Sequence, residues 1–191
     1  MANKDAPFGM RPIGKVGQNR DNQGLSEYDI AASATAIYFQ DPVKMLNTGT
    51  IGVAAAGDSL LGVLTGVFFT DASTSKPTFA NHLDASNAAT DIKGFITDDP
   101  YERFEIQTNN SGASATTDIF NVADIVYAAG SSPDYVSQVE LNDSTLANGS
   151  SATLQILGLS KDPDNSDVGS ANVNWVVRIN EHQLDMNVNG V

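Results

Sequence analysis

Over residues 173–180 the chain alternates with a period of two. Val173, Trp175, Val177 and Ile179 fall on one face, and Asn174, Val176, Arg178 and Asn180 on the other. That pattern predicts a strand with one apolar and one mostly polar face. Upstream, Leu154, Ile156 and Gly158 interleave with Gln155, Leu157 and Leu159, an apolar run suited to a more buried strand. The intervening 161–171 is dense in Asp, Asn, Ser, Gly and Pro, residues that support turns. Two antiparallel strands joined by a solvated loop are expected, the loop longer than an ordinary hairpin connection. The single Trp lies mid-strand and is expected to anchor the core.

The rest of the chain repeats the theme with weaker signals. Short strands are expected in 26–39 (broken at 31–36), at 43–46 and at 51–56. A stronger strand is expected over 60–70, with Gly62 and Gly66 marking bulges or close approaches. Residues 71–89 read as a long loop holding one short strand at 77–79. Strands follow at 92–97 and, after the Asp98-Asp99-Pro100 turn, at 103–108. There Phe104 and Ile106 should point inward, and Glu102, Arg103 and Glu105 should form the outer face. Residues 119–127 fit helical and strand spacing equally, 135–141 alternates as a strand, and the tail after Leu184 is polar.

Residues 1–24 have almost no periodicity and are punctuated by Pro7 and Pro12, which predicts an extended arm and not a folded element. The body is then 25–191. Turn signals recur about every ten residues and no long amphipathic helix occurs. The expected class is all-β, a sandwich or barrel-like body with long loops and an extended N-terminal arm.

Charge sharpens the picture. The chain has 191 residues, ten basic and 23 acidic, for a net −13, and no Cys. Disulfides, thiolate nucleophiles and Cys-ligated zinc are excluded. A surface this acidic repels phosphate backbones, so no nucleic-acid partner is expected. No apolar run is long enough to span a membrane as a helix. The start lacks the apolar stretch of a signal peptide, so synthesis without export by that route is expected. The charge is uneven: residues 1–20 hold Lys4, Arg11, Lys15 and Arg20 against Asp5 alone. Phe8 and Met10, bracketed by Pro7 and Pro12, give this basic arm apolar groups in need of a surface.

Candidate chemistry is thin. Gly57-Asp58-Ser59-Leu60 spells an esterase block, but no Asp stands three residues before His82 or His182, and a nucleophilic Ser needs an oriented His base. A turn before a strand is the simpler reading. The two His lie 100 residues apart, a poor basis for zinc. Asp162, Asp164 and Asp167 crowd one loop but lack the central Gly and final Glu of a calcium loop. Asn109, Asn142 and Asn148 open Asn-x-Ser/Thr triplets that an Asn- and Ser-rich chain produces by chance. No catalytic residue, metal ligand or cofactor is assigned.

Five ordered blocks carry a resemblance. Asn-Lys-Asp-Ala-Pro-Phe-Gly-Met-Arg-Pro-Ile (3–13), Gly-Val-Leu-Thr-Gly-Val-Phe-Phe-Thr-Asp (62–71) and Ile-Thr-Asp-Asp-Pro-Tyr-Glu-Arg-Phe-Glu-Ile-Gln (96–107) are three of them. Ile-Leu-Gly-Leu-Ser-Lys-Asp-Pro-Asp-Asn (156–165) and Val-Arg-Ile-Asn-Glu-His (177–182) complete the set. Together they resemble a family of tailed-phage virion proteins of the head decoration, or cement, type. The resemblance implies a non-enzymatic component of the outer head surface, often trimeric, clamping joints between major capsid subunits. It also makes the arm residues Phe8, Met10, Arg11, Pro12, Lys15 and Arg20 candidates for partner binding. Two other classes compete: a tail or fibre β module that binds a receptor or glycan, and a tail-tube or connector protein. The β module predicts a surface cluster of aromatics with carboxylates in one loop set, for which only Tyr101 and Tyr135 sit in loop positions; the tube or connector predicts rings.

Overall fold

The computed structural model describes residues 3–16, 24–109, 114–149 and 151–185. The chain is all-β, with three antiparallel sheets packed together. In chain order the strands are β1 (Arg11–Lys15), β2 (Ser26–Asp29), β3 (Pro42–Met45), β4 (Ile51–Val53), β5 (Gly62–Thr70), β6 (Pro77–Ala80) and β7 (Lys93–Thr97). After them come β8 (Glu102–Gln107), β9 (Val122–Ala123), β10 (Ile125–Val126), β11 (Glu140–Leu141), β12 (Leu154–Leu159) and β13 (Asn174–Ile179). One sheet runs β1-β8-β13-β12-β9. A second runs β2-β7-β5-β3-β4 with β6 also on β5, and a small third pairs β10 with β11.

The strongest sequence signal forms as expected. β12 and β13 pair antiparallel with Ile156 opposite Val177 and Leu159 opposite Trp175. Val173, Trp175 and Val177 are fully enclosed, joined by Phe104 and Ile106 of β8 and by Ile125 and Leu141 of the small sheet. A second apolar cluster (Ile37, Leu61, Leu64, Val67, Leu83 and Ile96 among others) packs on the β5 sheet. β5 serves both, with Val63 in the first cluster and Leu64 in the second. Its two glycines act as the sequence indicates. A Cβ on Gly62 would stand 2.2 Å from the Thr97 carbonyl oxygen, and the register against β7 slips between Leu64 and Gly66.

Four expectations are corrected. Residues 1–24 are not without a folded element: β1 is an edge strand on β8, with Arg11 opposite Glu105 and a register shift between Pro12 and Gly14. An edge position tolerates Pro12 because one side of the strand donates to no neighbour. Glu102 does not share the outer face with Arg103 and Glu105: it falls on the Phe104 side and accepts from Gly14 N–H, and Glu105, though outward, is covered by β1 and the loop after β12, leaving 4% and 6% exposure. The expected 135–141 strand is only Glu140–Leu141 plus an isolated Phe39–Val136 bridge, because Tyr135 turns to a left-handed φ of 54°. The second strand expected before Phe39 is likewise reduced to isolated bridges at Ile37 and Phe39. The open choice at 119–127 resolves to β9 and β10, preceded by a short 3-10 turn at Thr116–Asp118.

Candidate interaction site

The N-terminal segment is strapped along its own body. The Asn3 amide donates to the Asp167 and Ala171 carbonyls at 3.1 and 2.8 Å. The Lys4 carbonyl accepts from Gln107 and Asn165 at 3.1 and 2.7 Å. Gly9 has φ 75°, and a Cβ there would lie 2.4 Å from Ser137 Cβ, so only glycine lets the strap lie this close. Met10 follows with 0% exposure in the first core cluster. The side chain expected to anchor on a neighbour is therefore occupied within the chain's own core, where burial removes it from water.

The remaining candidates of the arm are engaged as well. Arg11 ion-pairs with Glu105 and lies 4.6 Å over the Phe8 ring. Glu105 is further held by the Ser160 hydroxyl. Pro12 is in β1, and Lys15 pairs with Asp99 at 2.9 Å. Gly14 N–H donates to Glu102 at 3.0 Å, whose carboxyl is pushed up mainly by burial. Arg20 lies outside the described residues. What stays at the surface is the outer edge of this segment: Arg11 with a side chain 46% exposed, Ile13 at 44% and Val16 at 41%.

The other motifs resolve into structural roles. Gly57 (φ 78°) and Asp58 form a turn, with Asp58 accepting from Ala55 N–H at 2.7 Å and from Lys44 at 2.6 Å. His182 bridges to Leu60, next to Ser59. Its Nδ1 accepts from Leu184 N–H at 3.1 Å and its Nε2 is enclosed without a partner, so no hydrogen bond joins it to Ser59. Asp162 and Asp167 cap the loop by accepting from Asp164 N–H at 3.0 Å and from the Ser170 hydroxyl at 3.1 Å. The Asn142 side chain accepts from Ser144 N–H at the head of a second 3-10 turn. Among the described residues no group of three or more His, Asp or Glu side chains is placed to hold a metal ion. No helix there is long and apolar enough to cross a membrane.

Two features escaped the sequence reading. His82 stacks on Tyr135 with centroids 3.7 Å apart and planes 5° from parallel, and Tyr38 lies beyond both at 6.4 and 6.5 Å. Beside them Asp41 is fully enclosed, accepting from Tyr38 N–H at 2.8 Å, with its Oδ1 unpartnered. Burial pushes its carboxyl up to about 6, against the pull of the Ser137 and Tyr38 hydrogen bonds. The second feature is the outward face of the β1-β8-β13-β12 sheet, which gathers Arg11, Arg103 and Arg178. No local motif marks either, because their members lie on distant segments.

No protein-family model matches the chain, and neither a curated protein nor a solved structure matches it.

Proposed function

We propose that the chain is a decoration (cement) protein of a tailed-phage head, seated on the outer surface of the shell and bracing joints between major capsid subunits. Its partners in this reading are the major capsid protein and further copies of itself, in trimers. The observation that carries it is where the five resembling blocks fall. Residues 3–13 are the strap and the start of β1, 62–71 are β5 with its last neighbour, and 96–107 run from the end of β7 through β8. Residues 156–165 and 177–182 cover most of β12, the end of β13 and the loop that holds the strap. The resembling residues thus include the central strand β5 of one larger sheet and most of β1, β8 and β12 with half of β13 in the other. An acidic body suits an outer position away from packaged DNA. The test is a quantitative gel of purified virions: a cement protein approaches the abundance of the major capsid protein, and a few copies per particle would sink the reading.

One observation favours a second reading, the receptor- or glycan-binding β module. Phe79 is 70% exposed with its ring 5.4 Å from that of Phe95, and Phe68 sits opposite Phe79 in register at 37% exposure. Glu27 and Asp29, both bridged to Lys93, share this sheet face. The aromatic-carboxylate cluster that reading expects in loops is here on strands. Low copy number with glycan binding lost in Phe79→Ser would favour it, and rings on size analysis would favour a tube or connector.

A further inference from the structure

The outward face of the five-stranded sheet carries an imbalance. Side chains directly opposite on antiparallel strands share a face. Arg11 faces Glu105, Glu105 faces Val176, and Arg103 faces Arg178. Three of the chain's four arginines therefore lie side by side on one surface of a protein with net charge −13. Glu105 is already engaged by Arg11 and Ser160. Arg178 Nε donates to the Gln155 amide oxygen at 2.8 Å. Arg103 Nε is buried and meets no acceptor, and among the described residues no carboxylate ion-pairs with Arg103 or Arg178. Like charges directly opposite destabilise a sheet, and a buried donor without an acceptor costs free energy. An anion laid over the pair relieves the like-charge opposition and gives the two guanidinium groups a common acceptor.

The surroundings specify what carries that anion. Against Arg103 and Glu105 lies an open groove of about 770 Å³, walled by Ile13, Val16, Leu157, Leu159 and Val176, with Lys161 on its rim. Outside the groove's lining, next to β12, Phe120 is 71% exposed and held at φ 76°, a conformation that bulky residues rarely adopt. Its N–H donates to the Ile156 carbonyl at 2.9 Å, and its own carbonyl accepts from Gln155 at 3.4 Å. The same Gln155 takes Arg178, which sets the backbone of Phe120 beside the arginine pair. Arginine and aromatic anchors around an apolar groove are the composition of protein interfaces, and the guanidinium fork matches a carboxylate. A nucleic-acid backbone would set a charge against the long-range field of an acidic chain at every phosphate, whereas a short segment with few carboxylates sets them on the arginines and its apolar side chains in the groove.

We propose that this face docks an acidic polypeptide segment of another protein, with a carboxylate between Arg103 and Arg178 and apolar side chains in the groove. This deepens the decoration reading, on which it rests only for the source of the segment, a shell subunit. The full chain is titrated by fluorescence anisotropy with a short labelled peptide alternating Asp with Leu, and with its counterpart carrying Lys for Asp. The acidic peptide should bind and the basic one should not. Arg103→Gln with Arg178→Gln should weaken binding about tenfold or more, which corresponds to about 1.4 kcal/mol, while Lys76→Gln in the loop before β6 changes nothing. Phe120→Asn, which suits the left-handed backbone at this exposed position, should weaken it severalfold and keeps the test open if the arginine variant misfolds. Equal binding of both peptides, no binding, or full binding by melting-competent variants overturns the proposal. So does sedimentation showing that the face is covered by a second copy, released in the arginine variant. Undecorated shells then separate the two readings. Shells bound equally by wild type and variant sink this face and leave decoration standing. Shells that bind neither, with the peptide result intact, sink decoration and leave the face.

Discussion

Asp41 and His182 are enclosed titratable groups whose burial acts in opposite directions on stability. The Asp41 carboxyl is pushed up to about 6 by burial, above the value of roughly 3.9 in an unfolded chain. The folded state therefore holds that proton more tightly. The penalty of burying the carboxylate is fully present above pH 6 and is relieved as pH falls through the window from 6 to 4. About two units correspond to about 3 kcal/mol. Asp41→Asn should flatten the pH dependence of urea stability between pH 4 and 7 by about that amount, and an unchanged slope would show that another group dominates. Burial moves His182 down, so its contribution is full above pH of about 6.5 and is lost as pH falls below that. Trp175 was legible in the sequence because strict alternation fixed its face. Trp175→Ala should cost about 3–5 kcal/mol, read as a lowered melting temperature; an unmoved transition would contradict its 0% exposure. Asp41 was not legible, because Asp-Pro reads as a turn whether the carboxylate points to water or into the Tyr38 loop.

At the scale of elements, legibility followed regularity. β12 and β13 were plain from their period of two, whereas β1 was hidden by Pro12 and Gly14. Those residues are tolerated only because β1 is the sheet edge and carries a register shift. The arginine face was hidden for a different reason. Arg11, Arg103 and Arg178 become neighbours only through the order β1-β8-β13, which no local pattern encodes. On sequence alone, removing the first 20 residues should leave a folded body. With β1 in the sheet and Met10 in the core, the truncation instead uncovers the β8 edge and the Glu102 and Glu105 carboxylates. Met10→Ala alone should cost about 2–5 kcal/mol, and the truncated chain should melt well below the full chain or fail to fold. A truncated chain as stable as the full one would return these residues to the role of a loose arm. Gly62, flagged correctly as a close approach, gives a sharper check. Gly62→Ala drives a methyl into the Thr97 carbonyl and should cost about 1–3 kcal/mol by overpacking, measured by denaturant midpoint.

Across the whole molecule the two apolar clusters are linked closely enough to melt as one. β5 places Val63 in the first and Leu64 in the second. The segment after β13 ties the sheets together: Leu60 N–H donates to the Glu181 carbonyl at 2.9 Å, Gln183 N–H returns to Leu60 at 2.8 Å, and the Gln183 side chain accepts from Met45 N–H at 2.6 Å. The strap adds a link through Met10 N–H to the Gln40 carbonyl at 3.1 Å. Loss of either cluster removes partners from the other, which is the condition for an all-or-none transition. Trp175 reports on the first cluster alone, since it lies wholly within it. Leu64→Ala, made in the second cluster and costing about 2–5 kcal/mol, should therefore lower the Trp175 near-ultraviolet transition and the far-ultraviolet transition together. If the far-ultraviolet signal showed an early step while the Trp175 signal kept its wild-type midpoint, the β5 sheet would be an independently unfolding unit. The hydrogen bonds through Leu60 and Gln183 would then be contacts between units and not the ties of a single core.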